Sequence, residues 1–189
     1  MLTTDDSNAT TTDAQVGKKT TTIEAPECTD NFQLRTFIFE GESFSSCEQM
    51  FQAHKALPGP SRELVRNILP RAGEGSYSHG MRVWSAGQQC QALRADWETV
   101  KVSVMLAANR AKYDQHPDLA AALLGTGTAL ITGEGTGQWS HWNGRIQMLI
   151  REELRAKMAP AETELSTPSG PAHCSLLARL RAEFDANAA

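Results

Sequence analysis

Ser45-Ser46-Cys47-Glu48-Gln49-Met50-Phe51-Gln52-Ala53-His54-Lys55-Ala56 is the stretch on which the reading of this chain turns. Wound as a helix, it sets Glu48, Phe51, Gln52 and Lys55 on one stripe, because side chains three and four apart are neighbours on a helix surface. A carboxylate, an amide and an amine then stand within reach of one bound molecule. A second reading is open: Ser45 and Glu48 fit the Ser-x-x-Glu capping box, in which the glutamate serves only its own helix start. Under either reading the segment is a helix, ended by Pro58-Gly59-Pro60.

Upstream, Phe32 to Phe39 alternates Leu34, Phe37 and Phe39 with polar residues before Gly41, which predicts a short strand leading into that helix. Residues 1–30 are rich in Thr, Asp, Ala and Ser and poor in large apolar residues, so they read as a disordered tail that the domain can do without. Downstream, Ser61 to Leu69 carries Leu64, Val65, Ile68 and Leu69 at helical spacing. Gly73 to Ala92 has no clear period and reads as loop. Asp96 suits the N-cap of a long helix to about Gln115, with Val100, Val104, Ala107 and Ala111 as its apolar stripe and Trp97, Lys101, Met105 and Lys112 on an adjoining one. Pro117 opens a short helix through Leu124, closed by Gly125, and Ala129 to Thr132 suits a short strand. Asn143 to Met158 reads as a helix burying Ile146, Leu149, Ile150 and Leu154. Residues 159–175, with Pro160, Pro168, Gly170 and Pro171, read as a linker, and residues 176–189 as an amphipathic helix on Leu176, Leu177, Leu180 and Phe184. The expected fold is mainly α with a small β-sheet or hairpin, in a single compact domain over residues 31–158.

Composition narrows the function. No apolar run approaches the roughly 18 residues of a membrane span. Neither a secretory pattern nor an early arginine-rich stretch is present, so an intracellular place, cytoplasmic or nuclear, is expected. Cys28, Cys47, Cys90 and Cys174 stand far apart without a Cys-x-x-Cys, and His54, His79, His141 and His173 show no ligand spacing, so no metal is expected. The formal net charge of −4 resides in the first 30 residues, where Asp5, Asp6, Asp13, Glu24, Glu27 and Asp30 face Lys18 and Lys19. The remainder is neutral, without the basic excess of a tight duplex-DNA binder.

Glu48-Gln49-Met50-Phe51-Gln52-Ala53-His54-Lys55-Ala56 resembles the Glu-x-x-(Phe/Tyr)-Gln-Ala-x-Lys signature of the NADAR domain family. Further matches follow in order: Arg94 to Lys101 with Met105, Lys112-Tyr113-Asp114-Gln115-His116, Leu123 to Gly127, Trp139, and Ile150 to Leu154. The resemblance spans roughly residues 33 to 157 and implies a single NADAR-like N-glycosidase domain that needs no cofactor. Family members cleave the ribosylamine bond of riboflavin-pathway intermediates, and others remove ADP-ribose from guanine bases in nucleic acid.

Breaking an N-glycosidic bond passes through an oxocarbenium-like sugar, so a carboxylate is needed to stabilise charge at C1 or to activate water there. Glu48 matches the family's glutamate and takes that role. Lys55 is the second catalytic candidate, either holding a phosphate or attacking a ring-opened sugar as a Schiff-base amine; the plain alternative is an exposed helix lysine. Gln52 suits a base edge or ribose hydroxyl, or else the surface. Trp97 and Trp139 match tryptophans around the family's pocket, where an indole stacks on a base, although a lone tryptophan is more often core. Trp84 and Trp142 default to core. Asp96 and Lys101 flank Trp97, with capping an equal explanation for Asp96, and Arg94 is a candidate phosphate partner. The glycines from Gly125 to Gly137 offer backbone amides to a pyrophosphate, without the lysine of a P-loop.

One departure stands out. Many family members carry an Asp three residues ahead of the tryptophan matched by Trp139, and here that place is Thr136. A second carboxylate is then missing or supplied by Glu134. The expected partner is ADP-ribose or ADP-ribosylated guanine in nucleic acid; the alternatives are a riboflavin intermediate or a module that binds ADP-ribose without cleaving it.

Overall fold

Ser46 starts the central helix of the molecule. Its backbone is extended and its hydroxyl accepts the Gln49 N–H at 3.1 Å, while Gln49 Oε1 accepts the Ser45 N–H at 2.7 Å. The exchange closes the start of α1 (Cys47–His54) with Gln49, not Glu48, in the reciprocal position. All eight residues of α1 are buried. Around it pack α2 (Pro60–Arg66), α3 (Ser76–Gln88) and α4 (Trp97–Gln115). Covering side chains such as Met50 and Phe51 is worth about 1.5–3 kcal/mol each.

The computed structural model describes residues 2–5, 20–90, 92–158 and 171–188. Within these the domain is mainly helical, with two small antiparallel sheets. The hairpin ahead of α1 joins β3 (Phe37–Phe39) to β4 (Glu42–Phe44), and its register puts Phe37 opposite Phe44. Glu40 (φ 51°) and Gly41 (φ 81°) make the turn, both in the left-handed region that a two-residue hairpin of matching twist requires. The strand is shorter than the 32–39 run expected, because Arg35 N–H already bonds the Ser45 carbonyl outside the ladder.

Residues 73–92 differ most from expectation: α3 occupies Ser76–Gln88 where a loop was read. Its buried positions are His79, Gly80, Val83 and Gly87, a helical stripe with only one large apolar residue. Glycines stand there because neighbours come close. A Cβ on Gly80 would lie 2.3 Å from the Phe32 ring, and one on Gly87 would lie 1.9 Å from Gln52 Oε1. In α4, too, the buried face is rotated from the expected one. Val100, Val104, Ala107 and Ala111 are half-buried, whereas Val102, Met105, Leu106, Ala108, Asn109, Lys112 and Tyr113 are covered.

That rotation depends on the N-terminal segment. The 3₁₀ turn at Glu27–Thr29 buries Cys28, whose carbonyl accepts from Lys112 Nζ at 2.7 Å and Tyr113 OH at 2.6 Å. Lys112 is fully buried, so a carbonyl at that point satisfies an ammonium that would otherwise be expensive to cover. Residues 24–30 are therefore part of the domain, contrary to the expected tail. Further out, β1 (Leu2–Asp5) pairs with β2 (Thr20–Ile23) on one side and β5 (Leu130–Ile131) on the other, and residues 6–19 lie outside the described residues.

After α5 (Pro117–Leu124), α6 (Trp139–Met158) starts four residues earlier than expected and so includes Trp139 and Trp142. Ile146, Leu149 and Ile150 are buried as expected, and Leu154 is half-buried. A Cβ on Gly144 would sit 2.0 Å from the Ile131 carbonyl oxygen, so this glycine lets α6 touch β5. α7 (Pro171–Ala188) caps the far side, with Phe184 against Trp142 at 4.9 Å and Arg145 bonded to Glu183 at 2.8 Å. The helix begins five residues before the expected 176; residues 159–170 of the expected linker and the side chains of Leu176 and Leu177 lie outside the described residues.

Candidate active site

With capping assigned to Ser46 and Gln49, Glu48 is left to face a cleft of about 1300 Å³, whose wall α1 forms with Glu48, Phe51, Gln52 and Lys55. Gln52 Nε2 donates to Glu48 Oε1 at 2.6 Å and fixes the carboxyl's direction. Glu48 is 6% exposed, and burial pushes its pKa up to about 7, against smaller downward pulls from the Gln52 bond and the Lys55 amine. Near neutral pH such a carboxyl exists in both forms, as an acid–base catalyst must.

Lys55 ends α1, and its carbonyl accepts the Arg94 N–H at 2.8 Å, which pins this end of the wall to the start of α4. Its Nζ lies 5.8 Å from the Phe51 ring centroid. Burial pushes the amine below the ordinary lysine value, opposed chiefly by Glu48. The Phe51 ring is flanked by Trp97 at 4.9 Å and by Trp139 at 5.0 Å, the latter nearly edge-on at 87°. These three rings make a continuous aromatic surface beside Lys55, suited to a flat base. Lys101 lines the same end, its Nζ held by Glu98.

At the other end, Glu48 N–H donates to the Asn31 carbonyl at 2.9 Å. Asn31 joins a largely buried amide chain: Asn109 donates to it at 2.8 Å, Gln147 donates to Asn109 at 2.9 Å, and the one Tyr113 hydroxyl proton is shared between Gln147, at 2.7 Å, and the Cys28 carbonyl. Asn31 also donates to Asn143 at 3.2 Å, and Asn143 in turn holds the Glu134 carbonyl at 2.7 Å. Asn143 thus clamps the N-terminal segment to the 133–136 loop, and both border the cleft. Tyr77, Met81, Trp84 and Gln88 of α3 form the outer rim, where Trp84 is 41% exposed and not the core residue expected.

Of the residues singled out from sequence, Glu48, Gln52, Lys55, Trp97, Lys101 and Trp139 share this cleft. Arg94 and Asp96 stay outside it. They are locked to one another at 2.6 and 2.8 Å, and Asp96, although at the N-cap position of α4, makes no side-chain cap. Gly125 and Gly127 also stand away from the cleft. Arg151 bonds Thr126 and Ala129 at 2.8 Å each, which ties their loop to α6, while Gly133 and Gly135 do line the cleft. Asp30, Asn31, Asn143 and Gln147 went unseen in sequence, being spread over two distant segments with no shared spacing. Trp142 is core, as expected. No group of three or more His, Cys, Asp or Glu placed to hold a metal ion occurs among the described residues.

A fold with this cleft has known relatives. The solution structure of the Escherichia coli protein YbiA superposes with a TM-score of 0.59 at 27% identity, covering 75% of this chain and 83% of that one. The N-glycosidase YbiA of Escherichia coli strain K12 is 32% identical over 136 residues, 66% of this chain and 79% of that protein. The chloroplastic riboflavin biosynthesis protein PYRR of Zea mays is 29% identical over 137 residues, 65% of this chain and 22% of that protein. The kinship supports a hydrolase acting on N-glycosyl bonds. A model of the NADAR domain matches residues 7–142, which takes in α1 and most of the cleft, and the chain belongs to the NADAR domain family.

Proposed function

We propose that this protein hydrolyses the N-glycosidic bond between ADP-ribose and a guanine base in nucleic acid. The observation that carries the reading is one cleft wall bearing a buried carboxyl with a pKa near 7 and, two helical turns on, an amine pushed below its ordinary value. Glu48 in its acid form protonates the sugar ring oxygen and opens the glycosylamine to an imine. The neutral Lys55 amine adds to C1, a proton passes from its nitrogen to the base nitrogen through Glu48, and the base leaves as its free amine. Lys55 is then joined to C1 as an iminium, which water hydrolyses to the aldehyde sugar and the lysine ammonium. Trp97, Trp139 and Phe51 provide the stacking surface, Gln52 orients Glu48, and Lys101 makes that end of the cleft attractive to phosphate.

Two features favour the larger substrate. The cleft exceeds the roughly 300–1,000 Å³ of drug-sized sites, and Thr136 departs from the biosynthetic pattern. The Zea mays relative, a riboflavin biosynthesis protein, favours a ribosylamine intermediate instead. Incubation with each substrate in parallel separates them: release of ADP-ribose from a guanine-modified single strand, faster than base release from a ribosylaminopyrimidine phosphate, is expected, and the reverse order contradicts the assignment.

A further inference from the structure

Thr136 leaves the cleft short of a carboxylate on the side that the 133–136 loop borders, yet that side is not without one. Asp30 lines the same cleft, on the segment that Asn143 clamps to this loop. Three features hold Asp30 in place. Its Oδ1 accepts the Phe32 N–H at 2.9 Å, its carbonyl accepts from the buried Lys112 at 3.4 Å, and the next carbonyl, Asn31, accepts the Glu48 N–H at 2.9 Å. Glu134 is less constrained. It too lines the cleft and is exposed like Asp30, but its fixed point is its backbone carbonyl on Asn143, whereas the Asp30 carboxyl is itself held by the Phe32 N–H.

We propose that Asp30 is the second catalytic carboxylate of this site, supplied by the N-terminal segment in place of the loop aspartate, and that it activates the water that releases the sugar. The inference rests on the glycosidase reading above. In the step assigned to it, the water oxygen bonds to C1 as the C=N π pair moves to Lys55 Nζ, and one water proton passes to Asp30. Asp30 returns that proton to Nζ, then takes the remaining hydroxyl proton as the C1–Nζ bond breaks with its electron pair on nitrogen, so that the sugar leaves as the aldehyde and the proton on Asp30 passes to the freed amine to give the lysine ammonium. Asp30 stands near enough to Glu48 to add to the upward shift of that carboxyl, behind burial.

Asp30→Asn keeps the bond from Phe32 and removes the charge. Release of ADP-ribose from the guanine-modified strand is expected to fall by roughly 100-fold with the melting temperature unchanged. Borohydride added during turnover is expected to trap more sugar on Lys55 than in wild type, since the iminium now accumulates. Adding Thr136→Asp to Asp30→Asn is expected to restore a large part of the rate by placing a carboxylate on the other side of the Asn143 clamp. A wild-type rate in Asp30→Asn overturns the proposal, as does a loss that comes with a lowered melting temperature and no rescue by Thr136→Asp. No release by the wild-type protein overturns instead the reading on which the proposal rests.

Discussion

Glu48 and Lys55 occupy one short helix, and each is pushed by burial toward its uncharged form. For Glu48 this has a sign that stability reports. The folded chain holds the proton up to about pH 7 and the unfolded chain only to about 4.5, so the stability tied to the protonated form is whole below 4.5 and is lost as pH rises through 7. Glu48→Gln, which cannot ionise, is therefore expected to gain in stability over wild type between pH 5 and 8, approaching about 3 kcal/mol at the upper end. Urea unfolding at several pH values reads this directly, and a constant difference across the range contradicts it. For Lys55 the readout is covalent. Borohydride during turnover is expected to leave the sugar's mass on Lys55 in wild type and nothing in Lys55→Ala, whose hydrolysis is expected to be lost; turnover without an adduct returns Lys55 to the role of a phosphate contact.

The N-terminal segment and α3 show what a linear pattern hides. α1 was legible because a cap, a strong period and a proline stop agree, yet which residue caps it was not, since Glu48 and Gln49 sit one place apart and either suits a capping box. α3 was missed because glycines and a histidine fill its buried face, chosen for close approach to Phe32 and Gln52 rather than for hydrophobicity. Residues 24–30 looked dispensable because their hold on the rest of the domain is a backbone carbonyl, that of Cys28, and no side-chain pattern announces a carbonyl. A chain starting at residue 31 is accordingly expected to lose both activity and stability. Removing Cys28 leaves Tyr113 with Gln147 alone and the buried Lys112 without its acceptor, at about 1–3 kcal/mol or more for the ammonium. Equal melting temperatures for chains starting at 24 and 31 contradict this. At the contact of α6 with β5, Gly144→Ala gains about 1 kcal/mol of helix propensity but drives a methyl into the Ile131 carbonyl, and a net loss of about 1–3 kcal/mol is expected. A raised melting temperature would show that the backbone can give way.

At the scale of the molecule, the cleft joins segments that no local motif relates: α1, the start of α4, the rim of α3, the 24–32 segment and the 133–136 loop with α6. Six of the eight residues singled out from sequence meet there, because α1 and the first turns of α4 and α6 converge. Arg94 and Asp96 do not, because a guanidinium and a carboxylate two residues apart satisfy each other first. The amide chain from Asn31 through Asn109 to Gln147 was beyond reach, its bonded pairs being 78 and 38 residues apart. The domain beyond residue 30 is formally neutral, so the proposed binding of a modified strand is expected to depend on the cleft and its aromatic lining more than on net charge. The central claim is that Glu48, in this cleft, cuts an N-glycosidic bond. Its most direct test is mass analysis of products from a short single strand carrying one ADP-ribosylated guanine, incubated with wild type and with Glu48→Gln at equal occupancy. Wild type is predicted to yield free ADP-ribose and an unmodified strand, with Glu48→Gln binding as tightly but releasing roughly 100-fold more slowly; equal release by both proteins, or binding without release by wild type, would contradict the account.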